Sequence, residues 1–231
     1  MSLLGGPAVV AGLVVGTIMA DRPTWPRRIM IAATLGGVGA VGAYDDSQGA
    51  GGAKGLQGHL RALAAGNVTS GSVKIGAGGV AGLVCAVALR PSSAPSRSVV
   101  MRDAALVAAT ANLVNLLDLR PGRALKAALA AGLVGLGGDL AAPVVGSAIA
   151  ALPGDLGART MLGDCGANAL GVGVGCVAIA AGPQPVRWAL LAALTALTLI
   201  SEWVSFTSII ERRPWLRRID EWGRPARPDP S

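Results

Sequence analysis

The sequence predicts an all-α integral membrane protein, with about eight transmembrane helices in one bundle and a polar site at its cytoplasmic face. Hydrophobic residues make up 52 % of the 231 residues and charged residues only 14 %, whereas a soluble domain usually carries roughly a quarter charged residues. Glycine contributes 34 residues, which suits helices that approach each other closely in lipid. The apolar stretches lack the period-2 alternation of barrel strands, so we expect them to be helical.

About eight apolar stretches are long enough, or nearly long enough, to cross roughly 30 Å of hydrocarbon. The first lacks the basic start and small-residue cleavage site of a signal peptide, so we expect a membrane span there. The sixth is the shortest. This pattern predicts a polytopic membrane domain over residues 1–211 and a basic cytoplasmic tail over residues 212–231 that begins as a surface helix. The stretches are Leu3–Ala20, Arg28–Tyr44, Ser72–Leu89, Val99–Leu117, Arg123–Gly138, Leu140–Leu152, Cys165–Ala181 and Val186–Ile210.

The distribution of positive charge predicts the orientation of the bundle in a cell membrane. With eight spans, the loop Asp45–Gly71 shares one side with the C-terminal tail, and that side holds thirteen of the twenty Lys and Arg residues. The positive-inside rule makes this side cytoplasmic, together with the polar site and the C-terminus. We therefore attribute the net charge of +7 to cytoplasmic loops and not to nucleic-acid binding, for which aromatic residues, at 3 %, are also scarce.

Acidic residues cluster on the inferred cytoplasmic rim. Asp45 and Asp46 end the second stretch, Asp118 ends the fourth and Asp164 begins the seventh. Carboxylates at a membrane usually face a polar cavity, and Mg²⁺ takes one or two of them together with phosphate oxygens. The alternative for each acid alone is a solvated helix end or a favourable residue at a helix N-terminus. Polar residues that could complete a phosphate site on this rim are Lys54, His59, Arg61, Asn112, Asn115, Arg120, Arg123 and Lys126.

Three motifs, in order and spacing, resemble those of the polyprenyl-phosphate N-acetylhexosamine-1-phosphate transferases, a family that includes the phospho-N-acetylmuramoyl-pentapeptide transferases of cell-wall synthesis. Tyr44-Asp45-Asp46 followed by Lys54-Gly-Leu-Gln-Gly-His59-Leu-Arg61 resembles the family's Asp-Asp loop. Asn115-Leu-Leu-Asp118 resembles its Asn-x-x-Asp motif, and Met161-Leu-Gly-Asp164-Cys-Gly-Ala167 resembles its Phe-Met-Gly-Asp-x-Gly-Ser motif.

The resemblance implies transfer of a sugar 1-phosphate from a nucleotide sugar, expected to be a UDP-sugar, to polyprenyl phosphate, with Mg²⁺ as cofactor. It implies catalytic roles for Asp45, Asp46 and Asp118, and Asp164 as the Mg²⁺ ligand. The lysine, histidine and arginine of the Lys54–Arg61 segment would bind substrate, and Asn115 would line the nucleotide site beside Asn112. Arg120 and Arg123, exposed by the helix break at Pro121-Gly122, are expected either to contact phosphate or to anchor the rim. A homodimer is left open.

Departures from the family pattern keep other functions open. The chain has no histidine after Glu202, and Met161 replaces the aromatic residue expected to stack on uracil. A non-catalytic homologue, acting as a scaffold or partner in envelope assembly, is therefore the main alternative. A small transporter is less favoured because the acids lie at one rim. A lipid pyrophosphate phosphatase, suggested by Pro95-Ser-Arg-Ser98, is set aside because that run falls on the opposite face.

Overall fold

The chain folds into an antiparallel bundle of helices, described by a computed structural model for residues 1–48, 55–90, 96–135 and 138–225. The described residues form eleven helices and no β-strand, as expected of an all-α protein. In chain order the helices are α1 Gly5–Met19, α2 Trp25–Gln48, α3 Gly55–Ala64, α4 Ser70–Ala88, α5 Arg97–Leu117, α6 Arg123–Val134, α7 Ala141–Leu156, α8 Gly163–Ala181, α9 Gln184–Ser201, α10 Phe206–Arg212 and α11 Pro214–Glu221.

Among the described residues, a helix covers most of each predicted apolar stretch. Four of these helices are long and apolar enough to cross a membrane: α4, α5, α8 and α9. The helices α1 and α7 are apolar but shorter, with 15 and 16 residues. The membrane class of the protein is thus supported, while a total of eight spans stays a prediction. The eighth stretch is not one continuous helix as expected. The chain leaves α9 after Ser201 and turns, so that Thr207 and Glu211 of α10 contact Arg123 and Arg120.

Helix α8 is the centre of the bundle, and it packs against α1, α2, α4, α5, α6 and α7. Most of its residues are buried, because glycines on its surface let neighbouring backbones approach closely. A Cβ atom on Gly171 would lie 2.5 Å from the Cα of Ala111, and one on Gly175 would lie 2.8 Å from the Cα of Val107. The close contact between α5 and α8 therefore depends on glycine. This contact sets the relative positions of the polar residues at the ends of the two helices.

Consecutive bundle helices run in opposite directions, so their termini gather at two ends. One end, which we call the acidic end, contains the C-termini of α2, α5 and α7 and the N-termini of α4, α6 and α8. At the other end, the buried side chain of Arg102 pairs with Asp103, which also accepts from Arg187 of α9. These ion pairs join α5 to α9 at this end of the bundle.

Candidate functional site

Lys74 joins two of the predicted acids at the acidic end. It lies in the second turn of α4, and its Nζ donates to Oδ2 of Asp45 at 2.8 Å and to Oδ2 of Asp164 at 2.7 Å. The three side chains come from α2, α4 and α8 and are partly exposed. Two carboxylates from separate helices thus converge on one positive charge. The sequence gives no sign of this role for Lys74 beyond its positive charge, because no motif contains it.

Asp46 binds the start of α8. Its Oδ1 accepts from the backbone N–H of Asp164 at 2.9 Å, and its Oδ2 accepts from that of Cys165 at 3.1 Å. The first N–H groups of a helix have no partner within the helix and carry partial positive charge, so a carboxylate is favoured there. Gly163 makes room for it: its φ is +59°, and a Cβ atom there would lie 2.7 Å from Asp46 Oδ2. Asp46 therefore holds α2 to α8 and fixes the position of Asp164.

Asp118 joins the same group of acids from the end of α5. Burial raises its pKa to about 8, with further raising contributions from the charges of Asp155, Asp164 and Asp46, while a hydrogen bond with the Gly163 backbone lowers it. A carboxyl with this pKa is mostly protonated at neutral pH. Asp118 is therefore placed to donate a hydrogen bond near pH 7 and to act as a base only above about pH 8.

Asn112, Asn115 and Asp118 are spaced at i, i+3 and i+6 and so form one stripe along α5, but the two asparagines have different surroundings. The Asn115 side chain lies beside the Asp164 carboxyl, within the acidic group. Asn112 is exposed and donates to Thr198 Oγ1 of α9 at 3.1 Å. The stripe therefore reaches the site at its C-terminal end, where Asn115 and Asp118 lie, while its first residue holds α9 to α5.

Arg120 and Arg123 form ion pairs with the C-terminal helices. Arg120 Nη2 lies 2.8 Å from Glu211 Oε1. The buried Arg123 forms a two-pronged pair with Asp220, through Nε–Oδ1 at 2.7 Å and Nη2–Oδ2 at 3.1 Å. The sequence left two interpretations of these arginines, contact with phosphate or an anchor at the rim. The ion pairs favour an anchor, because both guanidinium groups already have carboxylate partners within the protein. Asp220 had no signal in the sequence, because its partner lies 97 residues away.

The predicted loop residues lie partly outside the described structure. Lys54 lies outside the described residues, and so does the side chain of His59. Arg61 is exposed in the last turn of α3, which packs against α4.

The donor set at Lys74 fits a Mg²⁺ ion in chemistry, although the described residues bring no group of three or more His, Cys, Asp or Glu side chains together for a metal. Asp45 and Asp164 each direct one oxygen at the same cation, the Lys74 ammonium. Mg²⁺ commonly takes one or two carboxylates and completes its shell with phosphate oxygens and water. Lys74 would have to leave this position before a metal could take it.

No protein-family model, curated protein or solved structure matches this chain. The likeness to the polyprenyl-phosphate transferases therefore depends on the three motifs alone and stays a prediction.

Proposed function

We propose that this membrane protein transfers a sugar 1-phosphate from a nucleotide sugar, with UDP as the expected nucleotide, to polyprenyl phosphate. One observation carries the proposal: Asp45 and Asp46, Asp118 and Asp164, which lie far apart in sequence, meet at one end of the bundle beside Lys74. A site for reaction between two phosphate groups needs acids and a cation that a substrate can reach, and this end of the bundle supplies both on partly exposed side chains.

The contacts assign different tasks to the acids. Asp46 is a positioning residue, because both of its oxygens accept from α8 amides. Asp45 instead pairs with the Lys74 side chain, which can move away, so it is the acid we assign to activation of the lipid phosphate. Mg²⁺, when bound by Asp164, would neutralise charge on the diphosphate. Lys74, once released from the two carboxylates, would be free to bind a phosphate oxygen.

The distribution of Lys and Arg residues supports a cytoplasmic location for the acidic end. The loops and tail that the sequence predicts on the same side of the membrane as the acids hold thirteen of the twenty Lys and Arg residues. The positive-inside rule then places this end, and the C-terminus, in the cytoplasm of a multi-pass cell-membrane protein, where nucleotide sugars are available.

The proposal is tested by transfer of radiolabel into lipid. Purified full-length protein in detergent would receive polyprenyl phosphate, Mg²⁺ and each of a panel of labelled nucleotide sugars. We expect the wild type to move label from one donor into the lipid phase and Asp164→Asn to reduce the rate by about a hundredfold or more. The matched control is Asp21→Asn, an exposed acid beyond the far end of α1, which should keep the wild-type rate. Equal rates in all three proteins would refute the proposed site.

A second candidate is a non-catalytic scaffold in envelope assembly, and the Lys74 ion pairs favour it. Asp45 and Asp164 share Lys74, and Asp46 is bound to α8, so these acids also hold the helices together. This function predicts no transfer from any donor by folded wild-type protein. It also predicts that Asp164→Asn lowers the melting temperature without changing the cellular phenotype.

A further inference from the structure

Helix α11 has two distinct faces. Asp220 is buried and points to Arg123 of α6. Trp215, Ile219 and Trp222 are instead 62, 57 and 74 % exposed. On a helical projection Trp215 and Ile219 lie about 40° apart, and Asp220 lies about 140° from Trp215. The indole and aliphatic groups therefore face away from the bundle.

Positive charge lies on one side of the exposed apolar face of α11, since Arg218 is about 60° from Trp215 on the projection whereas Arg217 is about 160° from it. Arg217 and Arg218 lie within the helix and are exposed, and Arg212 and Arg213 come directly before it and are exposed as well. Indole rings prefer the boundary between headgroups and hydrocarbon. Clustered arginines bind anionic phospholipids, with about 1 kcal/mol for each residue near the surface. Together the two features match the chemistry of an anionic membrane surface.

The position of α11 is fixed by contacts with the rest of the acidic end. Lys126 Nζ donates to the carbonyl oxygens of Ile219 and Asp220 at 3.0 and 2.8 Å. Arg224 Nε donates to the carbonyl oxygen of Pro121 at 2.9 Å. These bonds hold α11 at the level where α5 ends and α6 begins. Since α5 is long and apolar enough to span a membrane, α11 is held near the plane of the lipid headgroups.

We propose that α11 is a preformed binding site for anionic phospholipid headgroups, in which Trp215, Ile219 and Trp222 enter the interface and Arg218, beside them, contacts lipid phosphate. This inference is independent of the transferase activity, since none of these residues belongs to the acid group around Lys74. Because internal bonds hold α11 in place, little ordering is needed when it binds lipid.

The test uses the full chain in vesicles that carry bromine on their acyl chains, which quenches nearby tryptophan emission. One set of vesicles contains phosphatidylcholine alone, and a second contains phosphatidylcholine with phosphatidylglycerol. The variant Trp215→Phe/Trp222→Phe keeps the apolar face but removes its emission. The difference in quenching between the wild type and this variant reports α11 alone.

We expect the α11 component of quenching to be larger by about twofold in the anionic vesicles, since arginine binding to the surface depends on lipid charge. Arg218→Gln should remove most of this increase, and added salt should reduce it. Arg22→Gln/Arg97→Gln, two exposed arginines at the opposite end, should leave it unchanged.

Two results would overturn the inference. Equal α11 quenching in neutral and anionic vesicles would mean that lipid charge is not recognised. Shielding of Trp215 and Trp222 from bromine in both vesicle types, together with cross-linking of one α11 to another, would mean that a second copy of the chain covers this face.

Discussion

The ion pair between Arg123 and Asp220 should decide whether the C-terminal segment stays docked. The side chains are 6 and 8 % exposed, and the pair joins α6 to α11. Asp220→Ala removes both acceptor oxygens and leaves the Arg123 guanidinium buried. Breaking a buried pair in this way typically costs about 3 to 5 kcal/mol. Because each 1.4 kcal/mol is a factor of ten, the equilibrium constant for opening of α11 should rise by roughly two to nearly four powers of ten.

Glu211→Ala is the matched control for this prediction. Glu211 lies in the same C-terminal segment and pairs with Arg120, but the two side chains are 53 and 36 % exposed. An exposed pair contributes about 0 to 1 kcal/mol, so opening should increase by no more than about fivefold. Both substitutions introduce alanine into a helix, so helix propensity does not separate them.

Hydrogen exchange of the full chain in detergent or nanodiscs measures the opening. The amides of Arg217 and Trp222, which donate to Arg213 and Arg218 within this segment, should exchange much faster in Asp220→Ala, because an isolated short helix is not stable in water. Glu211→Ala should resemble the wild type. Two results would refute the conclusion that the buried ion pair holds α11 against the bundle. One is an equal increase in exchange rate in both variants, and the other is an increase of less than about tenfold in Asp220→Ala.

Two further predictions concern the acidic end. A Cβ atom on Gly42 would collide with the backbone carbonyl of Asp164, so Gly42→Ala should destabilise the protein by about 1 to 3 kcal/mol. The control is Gly37→Ala, in open space on the same helix, which should be neutral or slightly stabilising. Equal melting temperatures for the two variants would contradict the close approach of α2 to α8 at Gly42. Burial, together with the charge of Asp155, raises the pKa of Asp118 from 3.8 to about 8, so its contribution to stability is fully present below about pH 3.8 and is lost as the pH rises through about 8. The contribution of Asp118 to the free energy of unfolding should therefore fall with rising pH over this range, by at most about 1.4 kcal/mol per pH unit. Asp118→Asn should remove this part of the pH dependence of the melting temperature, and parallel melting-temperature profiles for the wild type and the variant would contradict this assignment.

Most of the bundle helices were predictable because charged or turn-forming residues bound the apolar stretches. Helix α3, within the predicted loop Asp45–Gly71, and the break between α9 and α10 were not predicted. Convergence of the acids was also predictable in outline: in an antiparallel bundle, the end of α2, the end of α5 and the start of α8 fall on one side, so Asp45, Asp118 and Asp164 had to share it. The order of these residues along the chain is therefore enough to place all three at one end of the bundle.

Partnerships across long sequence distances were not predictable. Lys74 meets Asp45 and Asp164 only because it lies on the face of α4 that packs toward α2 and α8, and a one-residue shift along the helix would rotate it by about 100°. The pairing of Arg123 with Asp220 depends on the turn after α9. This turn lies inside the eighth apolar stretch, and the hydropathy of that stretch gives no sign of it. Apolar composition reports that a segment prefers lipid or a core, but it does not report where a helix ends within it.

The two proposed functions differ in one physical respect, the strength with which Lys74 is held. As a scaffold, the protein needs Lys74 to stay between Asp45 and Asp164, because it offsets the repulsion of two carboxylates brought together by α2 and α8. As a transferase, it needs Lys74 to exchange with another cation when a diphosphate arrives. All three side chains are partly exposed, and pairs of this kind contribute little to stability when water reaches them. Partial exposure of the Lys74 ion pairs therefore leaves room for a divalent cation with bound phosphate to replace the ammonium, as the transferase proposal requires, whereas the scaffold proposal requires Lys74 to stay in place.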